Sequence, residues 1–201
     1  TCERAAELGL VPAAMSFDTH PDTLVFGTPA ELLNTMAERE FLMRSLYGIE
    51  DVIFCHFDQA MMHMDWEAFV EDYLIGKLHA AHLVCGHDYH FGARGAGDAE
   101  KLMTKCQALG LGCDVIGKVE LDGTTVSSTH IRALLRQGSM DEAVQFLGHA
   151  HLISGTVCHG DSRGHTLGIP TANLSFAPEL LVPAFGVYGG WADLGADGRY
   201  P

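Results

Sequence analysis

Short apolar runs alternate with longer amphipathic segments from the start of the chain to about residue 148. The apolar runs predict β-strands at Ala13–Phe17, Asp51–Phe54, Ala81–Cys85 and Cys113–Val119. Between them, apolar residues recur at helical spacing, as they do along Trp66–Leu78. Because strands and helices alternate, residues 1–148 are predicted to form an α/β domain with a parallel sheet.

The ends of several helices are also marked in the sequence. Thr28–Glu31 offers an N-cap, a proline at the first helical position and a capping-box glutamate, which predicts a helix beginning there. Two further helices are predicted from capping residues and terminal glycines, over Asp98–Gly110 and Ser139–Gly148.

After Gly148 the helical period disappears, and glycine and proline become frequent. His151–Cys158 and Gly186–Leu194 have the pattern of strands. The density of turn residues predicts a small β-barrel or sandwich over residues 149–201. About 50 residues are few for an independent β-domain, so we expect this part to pack on the first domain or to be incomplete.

Composition and charge restrict the partners and the compartment. The 201 residues include 12 Lys and Arg against 26 Asp and Glu, a formal net charge of −14, so we expect neither a nucleic-acid partner nor a membrane surface. The six cysteines form no C-x-x-C pair, and most lie in apolar runs. We therefore predict reduced, buried thiols and a cytoplasmic protein.

The segment Val126–Arg132 combines hydroxyl groups with a positive charge at the start of a predicted helix. Ser127, Ser128 and Thr129 enter the helix, and Arg132 lies within its first turn. Free backbone N–H groups, hydroxyls and a guanidinium that face one point are typical of a phosphate site. An ordinary Ser/Thr N-cap with a surface arginine fits the same spacing, and the residues alone leave both interpretations open.

Two polar loops follow predicted strands directly. Phe17–Pro21 follows the first strand, and Gly86–Gly92 follows the third. Ligands of open α/β sheets bind at the carboxyl ends of strands, so we expect both loops to open on one edge. Simple turns are the alternative interpretation.

Four histidines, His79, His82, His87 and His90, give the spacing H-x-x-H twice. We do not predict zinc here, because a helix end followed by a strand start does not bring these side chains to one face. Hydrogen-bonded or solvated imidazoles around a loop fit the pattern better.

A glycine-rich segment, Gly155–Leu174, follows in the β-region. Glycines allow backbone amides to approach a phosphate closely, and Arg163 adds positive charge. Thr171 and Asn173 lie two residues apart, so in an extended strand both side chains point to one face. Their neutral oxygens suit Mg²⁺, although a glycine-rich turn with polar strand residues is the alternative.

Taken in order, these segments resemble the bacterial bifunctional riboflavin kinase/FAD synthetase family. The resemblance is carried by Phe17-Asp-Thr-His-Pro21, Gly86-His-Asp-Tyr-His-Phe-Gly92, Ser127-Ser-Thr-His-Ile-Arg132 and Gly168-Ile-Pro-Thr-Ala-Asn173. It implies a Rossmann-like nucleotidyltransferase domain in residues 1–148 that transfers AMP from ATP to FMN. It also implies that residues 149–201 are the first part of a β-barrel that phosphorylates riboflavin.

The resemblance further implies roles for individual residues in the first domain. Ser127, Ser128, Thr129 and Arg132 would hold the ATP phosphates, with Ser128 and Arg132 as the catalytic pair. The flavin would be contacted by His20, Asp88 and Phe91. In the loop after the first strand, Thr19 stands where family members usually have proline.

In the second domain the resemblance implies a nucleotide loop and a metal site. Gly160, Arg163, Gly164 and His165 would cover ATP, while Thr171 and Asn173 would be ligands of Mg²⁺. ATP, Mg²⁺ and the flavins riboflavin, FMN and FAD are therefore the expected cofactors, substrates and products.

Two departures from the family pattern matter. The histidine-bearing phosphate segment of the adenylyltransferase is not found before Thr1, and the glutamate base of the kinase is not found before Pro201. We therefore interpret the chain as a partial sequence. Two alternatives stay open: a nucleotidyltransferase acting on another phosphorylated small molecule, and a non-catalytic protein that binds flavin or nucleotide. The sequence does not fix the oligomeric state.

Overall fold

The structure, a computed structural model, describes residues 1–160 and 171–201. Arg163, Gly164 and His165, predicted to cover ATP, lie outside the described residues. Eight strands precede Gly148: β1 (Ala13–Phe17), β2 (Asp51–Cys55), β3 (His82–Gly86), β4 (His90–Phe91), β5 (Gly97–Asp98), β6 (Gly112–Ile116), β7 (Glu120–Leu121) and β8 (Thr124–Thr125). The four predicted strands are thus confirmed as β1, β2, β3 and β6, with ends shifted by up to three residues.

Eight α-helical segments accompany these strands. They are α1 (Cys2–Leu8), α2 (Pro21–Phe26), α3 (Met36–Tyr47), α4 (Gln59–Met62), α5 (Trp66–Ala68), α6 (Ala99–Ala108), α7 (Ser128–Gln137) and α8 (Met140–Leu147). Short α5 continues directly into a π-helix over Phe69–Lys77, so the predicted amphipathic segment is helical throughout. The N-cap predicted at Asp98 is confirmed, because its carboxylate accepts from the backbone N–H of Lys101 at 2.8 Å.

The long strands form two separate parallel pairs. β1 pairs with β2 from Ala13 opposite Asp51 onward, and β3 pairs with β6 from His82 opposite Gly112 onward. The mixed α/β class is therefore confirmed, with parallel pairing of the longer strands as predicted.

One hydrophobic cluster joins the π-helix, α6 and β4. Its buried members are Phe69, Val70, Leu74, Phe91, Leu102 and Cys106. Val70 and Cys106 have no exposed surface. The apolar face that helical spacing predicted along Trp66–Leu78 is the face that this cluster buries.

A second cluster lies around α7 and α8, and it includes a residue from the end of the chain. Ile131, Leu134, Leu135 and Ala143 are buried together with Leu181. The β-region is thus attached to the first domain through α7.

The helix predicted to begin at Thr28 is wrong. The N-cap of α3 is Thr35, seven residues later, where the Thr35 hydroxyl accepts from the Glu38 N–H at 3.3 Å and the Glu38 carboxylate accepts from the Thr35 N–H at 2.6 Å. The preceding segment is instead non-helical, because Leu32 makes backbone hydrogen bonds in both directions with Glu179 and Leu181.

After Gly148 the described residues form two short antiparallel pairs, and no closed barrel is present among them. β9 (Thr156–Cys158) pairs with β10 (Asn173–Ser175), and β11 (Ala192–Asp193) pairs with β12 (Arg199–Tyr200). The two strands predicted at His151–Cys158 and Gly186–Leu194 are much shorter than expected. All residues of the four strands are exposed, so alternating side chains have no core to cover.

The structure also bears on the cysteines and on membrane-spanning helices. All six cysteines are free, but only Cys55 and Cys106 are buried, and Cys158 is exposed, so the prediction of generally buried thiols is wrong. Among residues 1–160 and 171–201, no helix has the length and apolar character needed to cross a membrane.

Candidate functional site

The carboxyl ends of the parallel strands carry the polar loops that the sequence singled out. The loop with Asp18 and His20 follows β1, and the loop with His87 and Asp88 follows β3. β6 is followed by the β7–β8 hairpin, whose last residues lead to the start of α7. The topology therefore places two of the predicted segments at the ends of parallel strands, where α/β sheets bind ligands, and the third begins beyond the β7–β8 hairpin.

Asp18 and His56 form an ion pair between the ends of β1 and β2. The His56 Nδ1 atom lies 2.7 Å from the Asp18 Oδ2 atom, and the Phe57 N–H donates to Asp18 Oδ1 at 3.3 Å. The hydrogen bond from His56 lowers the pKa of Asp18, and the same bond raises the pKa of His56. This exposed edge thus holds a carboxylate that stays ionised beside an imidazole that favours its protonated form.

His20, a predicted flavin contact, is the N-cap of α2. Its Nδ1 atom accepts from the Asp22 N–H at 3.2 Å. A ring whose Nδ1 is an acceptor carries its proton on Nε2 when neutral. His20 therefore keeps one ring donor for a ligand.

Arg39 is a further polar residue at this edge, and sequence reasoning missed it. It extends from α3 to the end of β1, where its Nη1 donates to the Ser16 hydroxyl at 2.5 Å and its Nη2 to the Phe17 carbonyl at 3.0 Å. Its guanidinium also lies over the Phe54 ring, 5.3 Å from the centroid. Burial lowers the pKa of Arg39, and its Nε has no hydrogen-bond partner within the described residues.

The loop after β3 separates its predicted flavin contacts. Asp88 is exposed at a tight turn, where the Tyr89 N–H donates to the Gly86 carbonyl at 3.2 Å. Phe91 instead is 6% exposed and packs against Phe69 and Tyr89. Phe91 packs in the hydrophobic cluster, and the flavin contact that the resemblance implies for it stays a prediction.

The start of α7 is exposed. Ser127 is its N-cap, with the hydroxyl accepting from the His130 N–H at 3.2 Å. The next two hydroxyls, of Ser128 and Thr129, are exposed at the amino end of the helix. The ordinary capping interpretation is therefore correct for Ser127, and it leaves the two following hydroxyls and the first-turn N–H groups open to a ligand.

Arg132 is held by the segment before α3. Its Nε donates to the Glu31 carbonyl at 2.8 Å, and its other guanidinium N–H groups make no hydrogen bond within the described residues. One turn on, Arg136 forms an ion pair with the Glu31 carboxylate. Glu31 thereby fixes the direction of Arg132 and neutralises its neighbour.

In the β-region, Gly160 and Asn173 lie against each other. Asn173 pairs with Cys158 across β9 and β10, and a Cβ atom at Gly160 would lie 2.6 Å from the Asn173 Cγ. A larger residue at Gly160 would require the Asn173 side chain to move. Thr171 and Asn173 are both exposed, and both offer the neutral oxygens that Mg²⁺ accepts.

The residues of the two candidate sites thus belong to separate parts of the structure. His20, Asp88, Ser128 and Arg132 belong to the parallel-strand region, whereas Gly160, Thr171 and Asn173 belong to the β-region. The sequence could have indicated His56 as a site residue, since it directly follows the predicted strand that forms β2. Arg39 had no such signal in the sequence, because it lies in the first turn of α3 and reaches this edge from another element.

The two parts define a class: an α/β module with parallel strand pairs and an exposed helix start, followed by a β-region of short antiparallel strand pairs. Comparison with protein families gives the same division. The family model described as FAD synthetase matches residues 1–130, and the one described as riboflavin kinase matches residues 147–201. The chain belongs to the FAD synthetase family, and its end matches the riboflavin kinase family.

Relatives with both modules are found among curated bacterial proteins. The bifunctional riboflavin kinase/FMN adenylyltransferase of Listeria monocytogenes is 32% identical over 92% of this chain and 58% of its own length. The protein of the same name from Pseudomonas fluorescens is 34% identical over 92% of this chain and 59% of its own length. The chain therefore spans less than two thirds of these relatives.

A solved crystal structure has the same fold. It is described as a macrolide-efflux protein from Streptococcus pneumoniae, and it superposes with a TM-score of 0.81 at 27% sequence identity. The superposition covers 99% of this chain and 69% of that one.

Proposed function

We propose that this chain is part of a bifunctional enzyme that phosphorylates riboflavin with ATP, giving FMN and ADP, and then transfers AMP from a second ATP to FMN, giving FAD and pyrophosphate. Residues 1–148 would carry the adenylyl transfer within a Rossmann-like domain, and residues 149–201 would belong to the kinase domain. The observation that carries the proposal is the division of the family matches, with FAD synthetase over 1–130 and riboflavin kinase over 147–201. We expect the enzyme in the cytoplasm, with small molecules as its partners.

For adenylyl transfer, the open start of α7 supplies the phosphate-binding groups. Ser128, Thr129 and the first-turn N–H groups can donate to phosphate oxygens, and the helix dipole favours a negative charge at this end. Arg132 can neutralise charge that develops on the α-phosphate as AMP is transferred and pyrophosphate leaves, and such electrostatic stabilisation is where these enzymes gain most of their rate. Ser127 would act as the cap that holds this start in place.

The flavin would lie near the ends of β1 and β3. His20 offers its Nε2 donor, and Asp88 offers an exposed carboxylate on the neighbouring loop. Arg39 and the Asp18–His56 pair border the same edge and would position the loop after β1.

For the kinase step, Thr171 and Asn173 would hold Mg²⁺ together with phosphate oxygens and water. Gly160 would lie over the nucleotide with Arg163, Gly164 and His165. The metal would neutralise charge on the transferred phosphoryl group.

The experiment supplies the rest of the enzyme from a relative. Residues 1–201 replace the aligned part of the Listeria protein, and the chimaera is incubated with riboflavin, ATP and Mg²⁺ while FMN and FAD are separated by chromatography. The proposal predicts both products in succession. Formation of neither product, in a chimaera whose circular dichroism is that of the parent, would contradict it.

The same chimaera separates the two alternatives. A non-catalytic binding protein would bind flavin tightly, as measured by quenching of flavin fluorescence, and would form no product. A transferase for another substrate would consume ATP with other phosphorylated small molecules and leave FMN unchanged.

A further inference from the structure

A tight turn over Gly92–Ala96 connects β4 to β5. The Ala96 N–H donates to the Ala93 carbonyl at 3.2 Å, which closes the turn around Arg94 and Gly95. Both central residues have left-handed backbone angles, with φ of 58° and 65°. Arg94 is exposed. The turn thus presents an arginine from a backbone conformation that favours glycine or asparagine.

Arginine is an energetically unfavourable residue at this position, because a left-handed backbone brings its Cβ atom close to a carbonyl oxygen. Two other described non-glycine residues have positive φ, His79 and Asp122. His79 follows the π-helix, where helices commonly end in this conformation, and Asp122 begins an Asp-Gly hairpin turn between β7 and β8. Arg94 has no such local explanation. A disfavoured backbone near a ligand site is typical of a residue whose side chain is needed there.

The turn lies at the same end of the strands as the candidate flavin contacts. The Ala93 N–H donates to the Met64 carbonyl at 2.7 Å, and the turn also contacts α4. Both Met64 and α4 belong to the segment that follows the carboxyl end of β2. In sequence, the turn continues the loop after β3 that carries Asp88. Arg94 is therefore supported by two segments that begin at carboxyl ends of parallel strands, where α/β sheets bind ligands.

The backbone that carries Arg94 is held on two sides. A Cβ atom at Gly92 would lie 2.6 Å from the Trp66 Cα, so the turn packs closely against α5. From α6, the Lys101 ammonium donates to the Ala96 carbonyl and lies over the Trp66 ring, 5.8 Å from its centroid. A position that is fixed before binding lowers the ordering cost of a contact with a ligand.

The charge of Arg94 is available to an anion. Arg4, Arg44 and Arg136 are each paired with a carboxylate, whereas Arg94 makes no ion pair within the part of the chain that the structure describes. The chain as a whole has a formal net charge of −14, so a local cation is needed wherever an anionic substrate binds. A guanidinium suits phosphate, because two of its N–H groups can donate to two phosphate oxygens at once.

We infer that Arg94 binds the phosphate group of FMN during adenylyl transfer, and that this contact distinguishes FMN from riboflavin. The inference rests on the proposed function. The start of α7 with Arg132 is the candidate site for the phosphates of ATP, which leaves the phosphate of the flavin to a cation beside the flavin loop. Riboflavin has no phosphate and would leave the guanidinium without a partner, so it would bind more weakly.

The test uses Arg94→Asn and Arg94→Gly in the Listeria chimaera. Both new residues accept a left-handed backbone, so neither variant should lower the melting temperature. We expect the KM for FMN in FAD formation to rise about tenfold or more, with kcat changed less than about threefold, because the contact is made before and during transfer. The KM for ATP and the rate of riboflavin phosphorylation should change less than about twofold.

His79→Asn is the matched control. It relieves the same kind of backbone conformation before the opposite end of β3, and it should leave the KM for FMN unchanged. An equal rise in this control, a larger rise in the KM for ATP than for FMN, or no rise in either Arg94 variant would overturn the inference. A lower melting temperature in both Arg94 variants would also overturn it, because packing would then explain the arginine.

Equilibrium binding separates a failure of this inference from a failure of the proposed function. Quenching of flavin fluorescence is measured with FMN and with riboflavin, in the parent chimaera and in Arg94→Asn. We expect FMN to bind about tenfold or more weakly in the variant and riboflavin to bind equally in both proteins. This result in a chimaera that forms no FAD would contradict the proposed function alone. Equal effects on the two flavins, in a chimaera that does form FAD, would overturn the inference alone.

Discussion

The two parts of the chain differ in where their apolar side chains are buried. Residues 1–148 bury two hydrophobic clusters around helices. Among the described residues after Gly148, the only buried hydrophobic ones are Leu180 and Leu181, and both contact the first part. Phe185, Val187 and Trp191 are exposed. The second part thus depends on the first for the core that it has.

The contact between the parts involves the helix that begins with the candidate phosphate site. Leu181 packs on α7, and the Ala184 N–H donates to the Leu135 carbonyl at 3.0 Å. The Glu31 carbonyl meanwhile accepts from Arg132 on the same helix. The two parts therefore share α7 as a common support, and variants at the contact should measure how strongly they depend on each other.

The largest expected effect is from Leu181→Ala. This change removes the buried side chain by which the second part packs on α7, and we expect the free energy of unfolding to fall by about 2–5 kcal/mol. Chemical denaturation followed by circular dichroism measures it. The control is Val182→Ala, next in the chain but 45% exposed, which should cost less than about 0.5 kcal/mol. Equal losses of unfolding free energy in the two variants would show that the contact of Leu181 with α7 does not join the two parts.

A smaller effect is expected from Glu38→Gln. The Glu38 carboxylate is 2% exposed and accepts from the Thr35 N–H at the start of α3 and from the Ser154 N–H beyond Gly148. Glutamine replaces one acceptor oxygen by a donor that must face a backbone N–H, so we expect a loss of about 1–3 kcal/mol in the same denaturation measurement.

Glu40→Gln is the matched control on α3. Its carboxylate pairs with Arg44 at the surface, 2.9 Å from the Arg44 Nε, and such pairs contribute about 0.5 kcal/mol or less. A loss at Glu38 no greater than at Glu40 would mean that the buried carboxylate does not connect the two parts.

The smallest effect concerns the first part alone. Asp18 raises the pKa of His56 above 6.5, and His56 lowers the pKa of Asp18 below 3.8. The ion pair is therefore fully formed at pH values between the lowered pKa of Asp18 and the raised pKa of His56. The contribution to stability is lost as the pH rises through the raised pKa of His56, and as it falls through the lowered pKa of Asp18.

Nuclear magnetic resonance titration measures this pairing directly. The His56 ring signals should titrate above pH 6.5 in the chain and return toward that value in Asp18→Asn. An unchanged His56 titration in the variant would exclude the ion pair as the cause of the shift.

The strands of the first part were predictable because they are short, mostly apolar runs between helical patterns, and β1 was placed without error although its residues are only half-buried or exposed. The start of α3 was not, since Thr28–Glu31 and Thr35–Glu38 both have the capping-box pattern. The choice between them depends on the pairing of Leu32 with Leu180, 148 residues away, which no local pattern contains.

The candidate sites divide in the same way. The local sequence predicts that Ser127 caps α7, and in the structure its hydroxyl accepts from the His130 N–H. The resemblance implied a flavin contact for Phe91, but local sequence did not predict its burial, which depends on rings from other elements. The contact of Arg132 with Glu31 spans 101 residues and could not be predicted from spacing.

The most direct test of two separate transfer sites is a crossed pair of variants in the Listeria chimaera, with kcat/KM measured for each step. Ser128→Ala with Arg132→Ala should lower FAD formation about 100-fold and leave FMN formation unchanged. Asn173→Ala should lower FMN formation about 10-fold or more and leave FAD formation from added FMN unchanged. Arg136→Ala and Ser175→Ala, on the same helix and strand, should change neither step more than about twofold. Loss of FMN formation in the Ser128 and Arg132 variant, with FAD formation retained, would contradict the account.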